Sequence, residues 1–191
     1  MKILYPLISL FLLFHLFSSC STDCPDNTPT TNYVDQAYLP DIIPYSDTST
    51  RRFLKNGSDT LVFTSQGLKE IFESGSTLSG DCPKSYKNQK LSLKMAASDT
   101  DFFEILFTST NDIKLSINDM KFDNLFWVRE NIYDQNKELS SVFIDEFTVL
   151  NNTYTSVTKI SSSSPSDYFV NKGKYGLIKI AVKGNVYELI N

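Results

Sequence analysis

Leu91-Ser92-Leu93-Lys94-Met95, Phe103-Glu104-Ile105-Leu106-Phe107 and Ile113-Lys114-Leu115-Ser116-Ile117 are the stretches that decide how this chain is read. Apolar residues recur at every second position, with Ser92, Lys94, Glu104, Lys114 and Ser116 between them. A strand turns successive side chains to opposite faces, so a period of two predicts strands with one face in a core. The three runs begin about ten residues apart and are joined by polar segments, which is the spacing of an antiparallel meander.

Outward from this centre, candidate strands cover Leu61 to Ser65, Leu125 to Glu130, Val142 to Val149, Tyr154 to Ile160 and Tyr168 to Val170. Turn chemistry agrees. Asn56-Gly57 stands between Phe53-Leu54 and Leu61-Val62-Phe63, and Asn-Gly favours a tight hairpin because both residues tolerate positive φ. Gly184-Asn185 is placed in the same way between Ile178 to Val182 and Val186 to Ile190. Leu68-Lys69-Glu70-Ile71-Phe72, closely flanked by Gly67 and Gly75, fits one helical turn or a hairpin arm equally well. The expected fold is all-β, an antiparallel sandwich or barrel of roughly eight to ten strands in one domain over residues 51–191.

The chain has 191 residues, 41% hydrophobic and 21% charged, which fits one globular domain and neither wholesale disorder nor a multi-span membrane protein. Its formal net charge is -4 and it has no block of Lys or Arg, so nothing in it points to nucleic acid.

The N-terminus reads as an address. A basic start at Lys2 is followed by an apolar run from Ile3 to Phe17 and the small residues Ser18 and Ser19, the order of a secretory signal peptide over residues 1–19. The run is about fifteen residues, short of the roughly 20 that span a bilayer. Leu16-Phe17-Ser18-Ser19-Cys20 resembles the lipobox of bacterial lipoproteins, with Phe17 where an aliphatic residue is usual. That resemblance implies a diacylglyceryl thioether on Cys20, and two acyl chains anchor a protein stably where one does not. The alternative is a secreted protein whose Cys20 pairs with another cysteine. Residues 20–50, rich in Ser, Thr, Asp, Asn and Pro, read as a tether, of which Tyr38 to Tyr45 has enough apolar character to pack along the body.

With Cys20 acylated, Cys24 and Cys82 remain, and an exported protein meets an oxidising compartment. A disulfide between them would close a loop of about 59 residues and stabilise the fold by about 4 kcal/mol in the chain-entropy model. A free thiol is the alternative.

Catalytic chemistry has little material. The only histidine, His15, lies in the leader, so a processed chain has none; Ser/His/Asp triads, Cys/His dyads and the common zinc sites are then excluded. No glycine-rich phosphate loop occurs. Ser156-Val157-Thr158-Lys159 matches Ser-x-x-Lys but sits in an alternating strand, without the partner motifs of penicillin-recognising enzymes. Paired carboxylates remain for glycoside hydrolysis, from Asp99, Asp101, Glu104, Asp119, Asp123, Glu130, Asp134, Asp145 and Glu146, most beside turn formers where a solvated loop explains them. Neither a cofactor nor a metal site is expected.

Aromatics are in excess: fourteen Phe, ten Tyr and Trp127. Phe102-Phe103, Leu125-Phe126-Trp127 and Tyr168-Phe169 put neighbouring aromatics on opposite strand faces. Either a covering layer buries both members, or one face carries a binding patch around Trp127, Tyr133 and Tyr168.

The closing stretch, Tyr168 to Ile180 followed by Gly184-Asn185-Val186-Tyr187-Glu188-Leu189, resembles the C-terminal hairpin of small bacterial lipoproteins of the Bacteroidota type. Tyr38-Leu39-Pro40 and Asn56 to Thr60 are similar to the same group's entry strands. The resemblance implies a lipid-anchored β domain with no activity attached to it. The functional expectation is a non-enzymatic binding or interaction module, lipid-anchored at a bacterial outer membrane or cell surface, whose partner is a glycan or a protein. A lipocalin-like carrier of a small apolar ligand is the alternative, and a carboxylate-based glycan hydrolase comes third.

Overall fold

The computed structural model describes residues 28–35, 44–45, 48–79, 82–110, 112–128, 131–134 and 139–190, with the backbone alone at 79, 124, 126–128, 131–134 and 174. Residues 1–27, 36–43 and 46–47, Cys20 and Cys24 among them, lie outside the described residues, as does Glu130.

The described chain is all-β and antiparallel, as expected. Its strands are β1 (Thr30–Asn32), β2 (Thr50–Lys55), β3 (Asp59–Ser79), β4 (Cys82–Ala96), β5 (Phe102–Thr108), β6 (Asp112–Ile117), β7 (Met120–Val128), β8 (Asn131–Asp134), β9 (Ser140–Val149), β10 (Asn152–Ser161), β11 (Tyr168–Lys172), β12 (Gly176–Val182) and β13 (Asn185–Ile190). A 3₁₀ turn, Gly173–Tyr175, precedes β12. The hydrogen-bonded order is β8-β7-β6-β5-β4-β3-β2-β13-β12-β11-β10-β9, with β1 added to β4. Two meanders are therefore joined where the last strand pairs with β2, Leu189 opposite Phe53.

Two differences from expectation have physical causes. There are more strands than eight to ten, because β1 and β8, of three and four residues, are too short to show alternation; β3 and β4 are also longer than expected, since 66–79 and 82–90 are too polar and too interrupted by Gly67, Gly75 and Pro83 to show it. Leu68 to Phe72 accordingly belongs to a strand, the hairpin-arm reading, and not to a helical turn. The other difference is that the strands make one continuous sheet, where a sandwich has two.

The chain divides into two compact units, 31–73 with 88–191, and 1–30 with 74–87; β3 and β4 run through both. In the larger unit the sheet curls strongly into a half-barrel. Ring contacts require the curl. Phe122 on β7 meets Phe169 on β11 edge-on at 5.1 Å, although eight strand spacings separate them in the sheet order. Flat, that path would span about 38 Å.

The three alternating runs line up row by row in the core of this unit. Leu91, Phe107 and Ile113 form one row, Leu93, Ile105 and Leu115 the next, Met95, Phe103 and Ile117 the third. All nine are buried. Phe53, Phe63, Phe103 and Tyr187 close the interior with ring centroids 5.2–6.5 Å apart where they touch, within the range of favourable edge-on and offset packing.

In the smaller unit the described residues are 28–30 and the far end of the β3–β4 hairpin. A Cβ added at Gly75 would sit 2.4 Å from the Tyr86 ring, so glycine is what lets that ring lie on the strand. Pro29, Ser74, Gly75, Ser76, Ser85, Tyr86 and Lys87 line an open groove of about 390 Å³.

Candidate functional site

Three arrangements in the larger unit bring polar or exposed groups together. The first is where four connections meet: the β2–β3 turn, the β4–β5 loop, the β6–β7 turn and the β12–β13 turn. The Lys55 ammonium donates to Asp101 Oδ1 at 2.7 Å, and the Tyr187 hydroxyl donates to the same oxygen at 2.5 Å. Asn118 Nδ2 donates to Tyr187 Oη at 2.8 Å, while its Oδ1 accepts from the Phe102 amide at 2.9 Å. The Lys183 ammonium donates to the Asn118 carbonyl at 2.7 Å. Asn56 accepts from the Val186 amide at 2.8 Å.

The protonation states follow from these partners. Burial pushes the Asp101 carboxyl up, but the bonds from Lys55, Tyr187 and Ser98 outweigh it and hold the group below its ordinary value. The bond to Asp101 raises the Lys55 ammonium despite some desolvation. Burial, and then the donated bond to Asp101, push the Tyr187 phenol up. Tyr187 is held as a donor and Asp101 as a paired anion, and these bonds tie the four connections to one another.

The second arrangement is around Tyr45. Its hydroxyl is buried and accepts from the Leu177 amide at 2.8 Å, and burial pushes its pKa up to about 12. Gly176, at φ 74°, lies so close that a Cβ there would stand 2.1 Å from Tyr45 Oη. The Arg51 guanidinium sits 5.5 Å from the Tyr45 ring centroid. The tether residue Tyr45 is thus part of the core, which agrees with the apolar character of its segment.

The third is on the outside. Pairing between β2 and β3 ends at Thr50 opposite Thr64. Past it, Leu68, Ile71 and Phe72 are exposed, and Tyr33, 66% exposed, meets the Phe72 ring edge-on at 6.3 Å. Beside them Glu70 accepts from Gln89, whose carbonyl oxygen takes the Val34 amide at 2.8 Å, and Glu73 pairs with Lys90. Tyr33 and Phe72, with Leu68 on the same face of β3, form the exposed patch to be explained, and Ile71 turns to the other face. Sequence reasoning missed it because Tyr33 lies 39 positions from Phe72 in a segment read as tether.

The residues expected to form a binding patch lie as follows. Tyr168 is half-buried, packs against the core and carries the Lys159 ammonium 4.0 Å from its ring centroid. Its neighbour Phe169 is fully buried. Phe102 and Phe103 repeat the arrangement, with Phe103 inside and Lys94 4.2 Å from the Phe102 ring. A lysine stem thus shields the outward member of both pairs. Trp127 is opposite Ile132, and Tyr133 opposite Phe126, in the β7–β8 register. β8 approaches β10 and β11, the strand that carries Tyr168.

Of the carboxylates expected as candidates for hydrolysis, Asp101 is tied to Lys55 and Tyr187. Glu104, on β5, accepts from Ser92 at 2.5 Å, and Asp145 and Glu146 are exposed on β9. Among the described residues no group of three or more His, Cys, Asp or Glu is placed to hold a metal ion. Comparison with family models, curated proteins and solved structures finds no match to this chain.

Proposed function

We propose that this protein is a non-catalytic interaction module, held at a bacterial envelope membrane by lipid on Cys20, and that it engages a protein partner through the patch of Tyr33, Leu68 and Phe72. The observation that carries this reading is the edge-on pairing of Tyr33 with Phe72, both exposed. Interface cores are enriched in aromatic side chains with a charged or polar rim, and Glu70, two residues before Phe72 on β3, supplies such a group on the same face. A glycan-binding face needs aromatic planes with hydroxyl and amide partners for the sugar, and this patch has its polar groups already paired to one another.

The carrier alternative requires the half-barrel to close around a cavity. Phe103, Ile105 and Phe107 would have to line that cavity, and they are packed against the rings and aliphatic side chains of the facing strands. A disulfide between Cys24 and Cys82 belongs to the same proposal, since it would fasten the tether to the start of β4.

Site-specific photocrosslinking tests the reading. A photoreactive residue replacing Phe72 in the intact envelope should give a discrete adduct, abolished when Tyr33→Ser is added. Adducts as frequent from position Val142, on β9, as from Phe72 would refute the patch.

A further inference from the structure

We infer that the far end of the β3–β4 hairpin is a second membrane contact, with Leu78 entering the interface of an anionic lipid surface and Lys84 and Lys87 lying at its headgroups. The inference rests on the lipid-anchor reading of Cys20 and adds to it the part of the fold that faces the bilayer.

Three observations in the smaller unit support it. Leu78 is 82% exposed, the most exposed large apolar side chain described. An aliphatic residue so placed on a strand is a liability in water and an asset at a bilayer surface, where each buried CH₂ contributes about 0.8 kcal/mol. Charge is the second. Residues 74–87 carry Lys84 and Lys87 against Asp81, a local excess of one positive charge in a chain of formal net charge -4. Both lysines are exposed, and a Lys near an anionic leaflet contributes about 1 kcal/mol.

Reach is the third. Pro29 lines one groove with Ser74, Gly75, Ser76, Ser85, Tyr86 and Lys87, so the chain leaving the anchor arrives beside this hairpin end. Nine residue steps separate Cys20 from Pro29, at most about 30 Å when extended. From Gly75 to Leu78 a strand rises only about 10 Å. The tether is therefore long enough to let the hairpin end touch the surface and short enough to keep it within a few nanometres. Tyr86, lying on the backbone at Gly75, supports the hairpin close to that end.

The test uses the full acylated chain, purified from membranes and reconstituted in phosphatidylethanolamine–phosphatidylglycerol vesicles, with Leu78→Trp as reporter. The expected result is that the emission added over that of Trp127 lies at short wavelength and is quenched by lipids brominated on their acyl chains. Lys84→Glu with Lys87→Glu should reduce that quenching, and raised salt should do the same. In parallel, amide exchange of 74–87 in the unsubstituted protein should slow when vesicles are added, while exchange in 140–161 stays unchanged. Intact-mass analysis of the same preparation separates the two claims. With Cys20 acylated, unquenched added emission and unchanged exchange at 74–87 would overturn the hairpin contact and leave the anchor standing. An unmodified Cys20 would overturn the anchor and the hairpin contact with it.

Discussion

Asp101 accepts from residues 46 and 86 positions away in the chain, and that is why its role was illegible before the fold was known. In the sequence it is one of two carboxylates in a Ser-Asp-Thr-Asp loop and serves equally as a solvated turn residue. In the structure it is the acceptor that ties β2, the β4–β5 loop and β13 together. Tyr187→Phe removes the donor to Asp101 and the acceptor for Asn118, and should destabilise the protein by about 1–3 kcal/mol, read as a lower denaturation midpoint at unchanged m. The pH dependence follows from the directions of shift. A carboxyl held below its ordinary value in the folded state contributes stability that is complete above the unfolded pKa and is lost as pH falls through the folded one. Stability should therefore decline on the acid side of the ordinary carboxylate range, and Asp101→Asn should flatten that decline. Lys55 and Tyr187, both raised, predict a second loss as pH climbs past their unfolded values near 10. Gly176→Ala combines a positive φ with a collision at Tyr45 Oη and should cost about 2–3 kcal/mol, measured in the same way.

Among the elements, alternation was the reliable guide and turns were partly so. The rows Leu93-Ile105-Leu115 and Met95-Phe103-Ile117 were readable because each strand buries one face, and a slip of one residue would expose every apolar group in it. Asn56-Gly57 takes positive φ at both positions, 51° and 75°, as its chemistry predicts. The last hairpin turns one residue earlier than expected. Val182 pairs with Asn185, so Lys183 at φ 48° and Gly184 at φ 77° make the turn. The register of the flanking apolar residues outweighed the preference of asparagine for a left-handed position. Asn118-Asp119, at φ 47° and 64°, is a tight turn of the same kind that lacks the glycine by which such turns are recognised. β9 ends the sheet order and exposes Val142 and Phe143. Phe143→Lys should leave the unfolding free energy within about 0.5 kcal/mol of wild type and reduce self-association in concentrated solution, checked by light scattering.

At the level of the whole chain, fold class was legible and functional residues were not. Period-two patterning reports what faces inward on a strand, and it carries no information on which distant strands meet. That Tyr33 lies against Phe72, or β13 against β2, is decided by pairings between segments far apart in sequence. The measurement that goes most directly to the central claim, a filled interior with recognition outside, is titration with a fluorescent apolar naphthylamine probe. Wild type should bind the probe weakly, Tyr33→Ser with Phe72→Ser should remove that binding, and a new internal site should arise only after Phe103→Ala, which should also cost about 3–5 kcal/mol of stability. Saturable one-to-one binding that survives the Tyr33 and Phe72 substitutions would place the ligand inside the sheet and contradict that claim.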